Sequence, residues 1–263
     1  MQNKQIGPWP YPQIFAHRGA GIQAPENTLA AMREGYAHGY RAVEFDVMLS
    51  ADDVPILMHD PDFGRTVLSS GQVAKHTAKQ LSLMDAGSWH SPAFRGEPIP
   101  SFNDVAHFCT EHAIAMNIEI KPSLGTDAAT GQIVAQKLSE LRLKLPKLNT
   151  PHLAPLVSSF SSEALTAFRA IDKTTHCGHL FNRIPHDWQK KLVNLDCQAL
   201  HCNWKQLTLE TATAIKSAAY WLFCYTVNDP IKATELIQLG VDGFCTDRLD
   251  LFDPEKTIRV FSI

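Results

Sequence analysis

Eight short runs that read as β-strands alternate along this chain with longer segments of helical periodicity, and few folds accommodate that order. The strand candidates are QIFAH (13–17), AVEFDVML (42–49), AIAMNIEIK (113–121), PLVSSF (155–160), THCGHLF (175–181), QALHC (198–202), YWLFCYTV (220–227) and DGFCT (242–246). Between them apolar residues recur every three or four positions, as in NTLAAMREGYAHG, SFNDVAHFCTEHA, LTLETATAIKSA and a run led by Pro185. Asn27, Ser101, Ser161 and Asp229 stand where N-caps are expected, and Gly39 and Gly240 stand where helices stop. Eight such units predict a (β/α)8 TIM barrel, since a doubly wound sheet usually has fewer strands and a Gly-rich phosphate loop that is missing here. With 263 residues and 44% hydrophobic content, the chain can bury such a core as one domain, 1–263.

One segment breaks the alternation. VPILMHD (54–60) is an extra strand-like run, and residues from about 60 to 100 are rich in Gly, Ser, Asp and Pro. This predicts a small insertion after strand 2, hanging over the carboxyl-terminal mouth where barrel active sites lie. Pro8, Pro10 and Pro12 predict an extended arm leading into strand 1.

The polar residues inside the strands carry the chemical signal. In VEFDV, Glu44 and Asp46 are two apart and share one strand face, while Val43, Phe45 and Val47 face the covering helices. NIEIK repeats the pattern, with Asn117, Glu119 and Lys121 on one face. Three ionised carboxylates in one barrel mouth repel strongly at low dielectric, and a bound divalent cation is the simpler relief. Oxygen-only ligands suit Mg2+ or Ca2+, with Mn2+ also allowed, so Glu44, Asp46 and Glu119 are the expected metal ligands. His17 and His59 end neighbouring runs and can divide labour as acid and base near neutral pH. Arg18 and Lys121 add the fixed positive charge that a phosphoryl group in transit needs. The expected reaction is metal-assisted cleavage of a phosphate ester. Strict alternation points Arg18 away from His17, so the strand has to end or bend there, which Gly19 and Gly21 permit.

The motifs AHRG, APENTLAAM, EFDVMLSADDVPILMHD, DAGSW, GEPIPSF, NIEIKP, SSF, YTVND and GVDGFCTD follow one another from about Tyr11 to Asp247. In that order the chain resembles the glycerophosphodiester phosphodiesterases of the bacterial cytoplasmic kind. The resemblance implies a (β/α)8 barrel with a small insertion after the second strand, hydrolysing glycerophosphodiesters such as glycerophosphocholine or glycerophosphoethanolamine to glycerol 3-phosphate and an alcohol. It implies the same roles for His17 and His59, for Glu44, Asp46 and Glu119, and for Arg18 and Lys121. It further implies that Glu26 and Asn27 border the site and that Tyr225 offers an aromatic wall to the glycerol. The mechanism similar to the family's has two steps through a cyclic phosphate, with His59 written as base and His17 as acid; the residues alone permit the reverse.

Charge and cysteine usage narrow the setting. Lys and Arg total 24 against 27 Asp and Glu, a net charge of -3 with no basic run, so nucleic acid is not an expected partner. The N-terminus lacks the apolar core of a signal peptide, and no segment offers about 18 uncharged apolar residues, so neither export nor stable membrane insertion is expected. Six cysteines without a CxxC pair suit a reducing cytoplasm, and a homo-oligomer is allowed. His176, Cys177, His179, His201 and Cys202 lack the spacing of structural zinc ligands. Asp60 and Asp62 read equally well as turn formers. Two other functions fit the same residues: a lysophospholipid- or phosphatidylinositol-type phosphodiesterase, and a noncatalytic phosphoester-binding module.

Overall fold

A computed structural model describes residues 6–256 and 258. Both ends of the 1–263 domain reading, and the first five residues of the N-terminus read for a signal peptide, lie outside the described residues. The strands are β1 (Ile14–Ala16), β2 (Ala42–Leu49), β3 (Pro55–Leu57), β4 (Ala115–Ile120), β5 (Leu156–Ser159), β6 (His176–Phe181), β7 (Ala199–Asn203), β8 (Trp221–Tyr225) and β9 (Gly243–Thr246). The helices are α1 (Leu29–Ala37), α2 (Ala78–Leu81), α3 (Phe102–Glu111), α4 (Asp127–Lys144), α5 (Ser162–Ile171), α6 (Trp188–Asn194), α7 (Leu209–Ser217) and α8 (Pro230–Gln238). All strands but β3 are parallel and pair in the order β1-β9-β8-β7-β6-β5-β4-β2, and β1 pairs with β2 to close the barrel. β3 folds back on β2 as an antiparallel hairpin strand, with Val47 opposite Leu57. The predicted (β/α)8 barrel is therefore the fold.

Two-residue alternation sorts the core into two layers. Val43, Phe45, Val47, Ile118, Ile120 and Val157 join helix residues such as Phe102, Leu138 and Phe168 in the outer core. Phe15, Ala42, Ala115, Leu156, Ala199 and Phe223 point inward and fill the base of the barrel. The proline-rich arm closes that base: Trp9 packs edge-on against Trp221 at 5.5 Å, and the Trp221 indole N–H donates to Gly7 O at 2.8 Å. Tyr11 meets His176 Nδ1 through its hydroxyl at 2.8 Å. The arm thus covers the amino-terminal end and leaves the carboxyl-terminal end as the open mouth.

His201 sits within this stack, fully buried, with its ring 4.7 Å from that of Phe223 and neither ring nitrogen hydrogen-bonded. Gly178 on β6 makes the room, because a Cβ there would lie 2.4 Å from His201 Nε2. Burial holds the imidazole pKa down to about 3, so it is neutral at pH 7. A group depressed in the folded state adds stability above its unfolded pKa and loses it as pH falls. Each pH unit between about 6.5 and 3 therefore costs up to about 1.4 kcal/mol. His201→Leu is expected to gain stability relative to the parent as pH drops from 7 to about 4.5 in urea melts; a difference constant with pH would contradict it.

The helix boundaries follow the expected chemistry with two corrections. Ser101, Ser161 and Asp229 cap α3, α5 and α8, each accepting a backbone N–H in the first turn. Thr28, not Asn27, caps α1, accepting from Ala31 N, while Asn27 takes a left-handed φ of 58° and turns its side chain elsewhere. α6 begins at Trp188, after a turn in which Trp188 N donates to Pro185 O, so the Pro185-led run is turn first and helix second. Between Met58 and Pro100 the residues Met58, Val67, Val73, Leu81 and Ile99 form an apolar cluster of their own with Met48 and Ile56 of the β2–β3 hairpin.

Candidate active site

The acids come together because β2 and β4 run in register. Glu44 pairs with Asn117 and Asp46 with Glu119, so the inward carboxylates of neighbouring strands fall at matched heights near the mouth. One oxygen from each of Glu44, Asp46 and Glu119 lies within 4.8 Å of the others, and all three are nearly or fully buried. At an effective dielectric near 20, two charges about 4 Å apart interact by roughly 4 kcal/mol, so full ionisation needs compensation. Burial, and then the charge of Asp46, push Glu44 up to about 7 and Glu119 well above the usual carboxylate range. Asp46 goes the other way: burial opposes ionisation, but Lys121 and Arg18 outweigh it and hold it near 2. Lys121 Nζ reaches Asp46 at 3.2 Å and Glu119 at 3.8 Å, and Arg18 Nε lies 3.6 Å from Asp46. An oxygen-only donor set this close, still short of cations, fits a hard divalent ion.

Each histidine is oriented by a carboxylate. β1 ends at Ala16, and His17 opens a single 3-10 turn in which Arg18 takes a left-handed conformation (φ 51°, ψ 30°), so His17 and Arg18 both reach the mouth. His17 Nδ1 meets Asp247 Oδ1 at 2.5 Å, while Asn228 Nδ2 donates to Asp247 Oδ2 at 3.0 Å. Gly21 lets this loop press on Asp247, since a Cβ there would sit 2.2 Å from the Asp247 carbonyl oxygen. His17 Nε2 lies 3.7 Å from Glu44. Burial alone lowers the His17 pKa, but the Asp247 contact and Glu44 charge outweigh it and the net shift is upward. His59 follows β3 and its Nδ1 meets Asp60 Oδ1 at 2.6 Å. Here burial dominates over the pull of Asp46 and the pKa falls. The two imidazoles are therefore biased in opposite directions.

Both histidines, the three acids, Arg18, Lys121 and Tyr225 line one cavity of about 200 Å3. Tyr225 donates its hydroxyl to Phe181 O at 2.9 Å and meets Phe160 edge-on at 5.9 Å, so it offers a fixed ring face. Glu26 and Asn27 stand behind the wall. Glu26 accepts from Arg18 at 2.7 Å, and the Asn27 amide donates to Asp46 Oδ2 at 2.8 Å while its oxygen accepts the Asp46 N–H at 3.1 Å. Sequence reasoning missed Asp247 and Asn228, and it left Asp60 open as a turn former. Their signal was position: Asp247 follows the end of β9 and Asp60 follows His59 directly. Asp62 is the turn-side residue, accepting from Gln72 at 3.1 Å.

A barrel mouth that sets two carboxylate-held imidazoles beside buried acids and fixed cations defines a hydrolase of phosphate esters. The model of the glycerophosphoryl diester phosphodiesterase family matches residues 17–251, from the first histidine of the mouth to beyond β9. The chain belongs to that family and is an enzyme, a phosphoric diester hydrolase acting on glycerophosphodiesters. It is 27% identical over 248 residues to a glycerophosphodiester phosphodiesterase of Caldanaerobacter subterraneus, covering 94% of this chain and 96% of that one. A glycerophosphodiester phosphodiesterase of Bacillus subtilis is 26% identical over 262 residues, covering 92% and 85%. Among solved structures, a phosphodiesterase of Oleispira antarctica in complex with the product sn-glycerol 3-phosphate superposes with a TM-score of 0.82. It is 32% identical, over 90% of this chain and 93% of that one.

Proposed function

We propose that the enzyme hydrolyses small glycerophosphodiesters, glycerophosphocholine and glycerophosphoethanolamine among them, to glycerol 3-phosphate and the free alcohol in a divalent-metal-dependent reaction. The observation that carries this is the convergence of two oppositely biased histidines on one acid-lined cavity. Glu44, Asp46 and Glu119 would hold Mg2+, Ca2+ or Mn2+. Bound there, the ion supplies positive charge to the phosphate and lowers the pKa of a hydroxyl beside it. Arg18 and Lys121 orient the phosphate. His59, biased neutral, takes the proton of the glycerol 2-hydroxyl as it attacks phosphorus, and His17, biased protonated, donates to the departing alkoxide. The cyclic phosphate then opens to water with the two roles exchanged. Asp247 and Asp60 keep each ring's Nδ1 engaged, leaving Nε2 for proton transfer.

The reading extends to the whole chain as one domain, with residues 60–100 capping the mouth, acting on a small molecule without nucleic acid. Six unpaired, buried cysteines support a reducing cytoplasm. Among the described residues no helix is long and apolar enough to cross a membrane. A second reading, hydrolysis of lysophospholipids, draws support from Ile22, Leu124 and Phe160, which are exposed on loops after β1, β4 and β5 at the mouth. One assay separates them: several glycerophosphodiesters and lysophosphatidylcholine, each with Mg2+, Ca2+, Mn2+ or EDTA. The expected result is turnover of glycerophosphodiesters restored by a divalent ion after chelation. Equal rates on the lysolipid would favour the second reading, and full activity in protein shown to be metal-free would remove the ion from the reaction.

A further inference from the structure

Arg65 lies in the insertion just after Gly64, whose φ of 122° is a conformation that favours glycine. Its guanidinium joins two carboxylates from separate parts of the chain. Nε donates to Asp60 Oδ2 at 2.6 Å, while Nη1 and Nη2 donate to Glu26 Oε2 and Oε1 at 2.7 Å each. Both carboxylates are also engaged inside the site: Asp60 Oδ1 contacts His59 at 2.6 Å, and Glu26 Oε1 accepts from Arg18 at 2.7 Å. A single chain of contacts therefore runs His59, Asp60, Arg65, Glu26, Arg18.

We propose that Arg65 is a positioning residue that fixes the proton-transferring histidine and the phosphate-binding arginine in one rigid frame. The proposal rests on the roles given above to His59 and Arg18. Its physical basis is the planar fork, which can hold one carboxylate bidentately and a second through Nε; an ammonium group cannot do both. Without the fork, Asp60 loses the contact that sets its angle to His59, and proton transfer slows. Glu26 then has both oxygens free for Arg18 and draws that guanidinium from the phosphate, which weakens substrate binding. Arg65 itself is 46% exposed on its side chain and lines none of the reaction cavity, so it acts through its partners.

The test measures kcat and KM separately on glycerophosphocholine, with melting temperatures, for Arg65→Ala, Arg65→Lys, Asp60→Asn, Glu26→Gln and the Arg65→Ala/Asp60→Asn double variant, with His59→Ala as control. Arg65→Ala is expected to lower kcat and raise KM together, reducing kcat/KM roughly 10- to 100-fold as lost outer-shell partners do. Asp60→Asn acts mainly on kcat and Glu26→Gln mainly on KM. The double variant loses little more in kcat than its worse single, because both changes break the same link. Arg65→Lys keeps the charge and loses the fork, so it stays close to Arg65→Ala; if the alanine variant fails to fold, the lysine variant decides alone. Constants within about twofold of wild type in Arg65→Ala, or full activity in Arg65→Lys, overturn the clamp when His59→Ala abolishes turnover. A fully active His59→Ala instead overturns the functional reading, and the clamp with it.

Discussion

Replacing either His59 or His17 with alanine is expected to lower kcat on glycerophosphocholine by roughly a hundred- to ten-thousand-fold, the usual contribution of a positioned acid or base. The two losses differ in their pH signature. His59 has to be neutral to take a proton, and burial holds its pKa below the ordinary imidazole value. His17 has to be protonated to give one, and against the effect of burial the Asp247 contact and Glu44 charge hold it above that value. With those proposed roles, the rate of the parent enzyme is expected to rise as pH climbs through the His59 pKa and to fall as it climbs through that of His17. Residual activity in His59→Ala loses the rise on the acid side, and in His17→Ala it loses the fall on the alkaline side. A profile of kcat/KM from about pH 5 to 9 reads both limbs. Near-normal turnover in either variant removes that residue from the chemistry.

The second large effect concerns the three carboxylates, and for Glu119 it has opposite signs with and without a divalent ion. Asp46→Asn and Glu119→Gln are expected to abolish metal-stimulated hydrolysis and to weaken ion binding by about 100-fold or more, since each removes one of three oxygen ligands. In metal-free protein Glu119→Gln raises the melting temperature, because it deletes a buried carboxylate pressed against Asp46 and Glu44. Adding Mg2+ or Ca2+ raises the melting temperature of the parent and leaves that of Glu119→Gln nearly unchanged. Glu44 supplies the pH check. Its pKa is raised from 4.5 to about 7, so the stability it contributes is complete below 4.5 and is lost as pH rises through about 7. Over that interval Glu44 therefore takes stability away from the metal-free protein, and Glu44→Gln is expected to gain stability relative to the parent as pH rises from about 4.5 to 7. Calorimetric titration of each ion and thermal melts at two pH values check all three statements; a metal-insensitive parent would contradict them.

Much of the fold was legible because a period of two leaves a plain trace when one face is apolar. Val43, Phe45 and Val47 against Glu44 and Asp46 could only be sorted one way, and the structure sorts them so. What stayed hidden depended on backbone states and distant partners. Nothing local marks Arg18 for a left-handed φ, yet that conformation brings it into the mouth beside His17. Asn27 has the chemistry of a cap and stands beside the true cap, Thr28, but its amide completes two bonds to Asp46 on the neighbouring strand. Asp60 reads equally well as a turn former, and nothing local marks Asp247 until the barrel closes and brings His17 to it. Arg65 sits in a stretch without periodicity, where composition says only that the chain turns often.

A 31P NMR time course of glycerophosphocholine with the purified enzyme and a divalent ion tests the proposed reaction most directly. The expected spectrum shows the diester signal giving way to glycerol 3-phosphate, with His59→Ala converting it at least about a hundredfold more slowly. Release of phosphocholine instead, or an unchanged diester in the parent reaction, would contradict it.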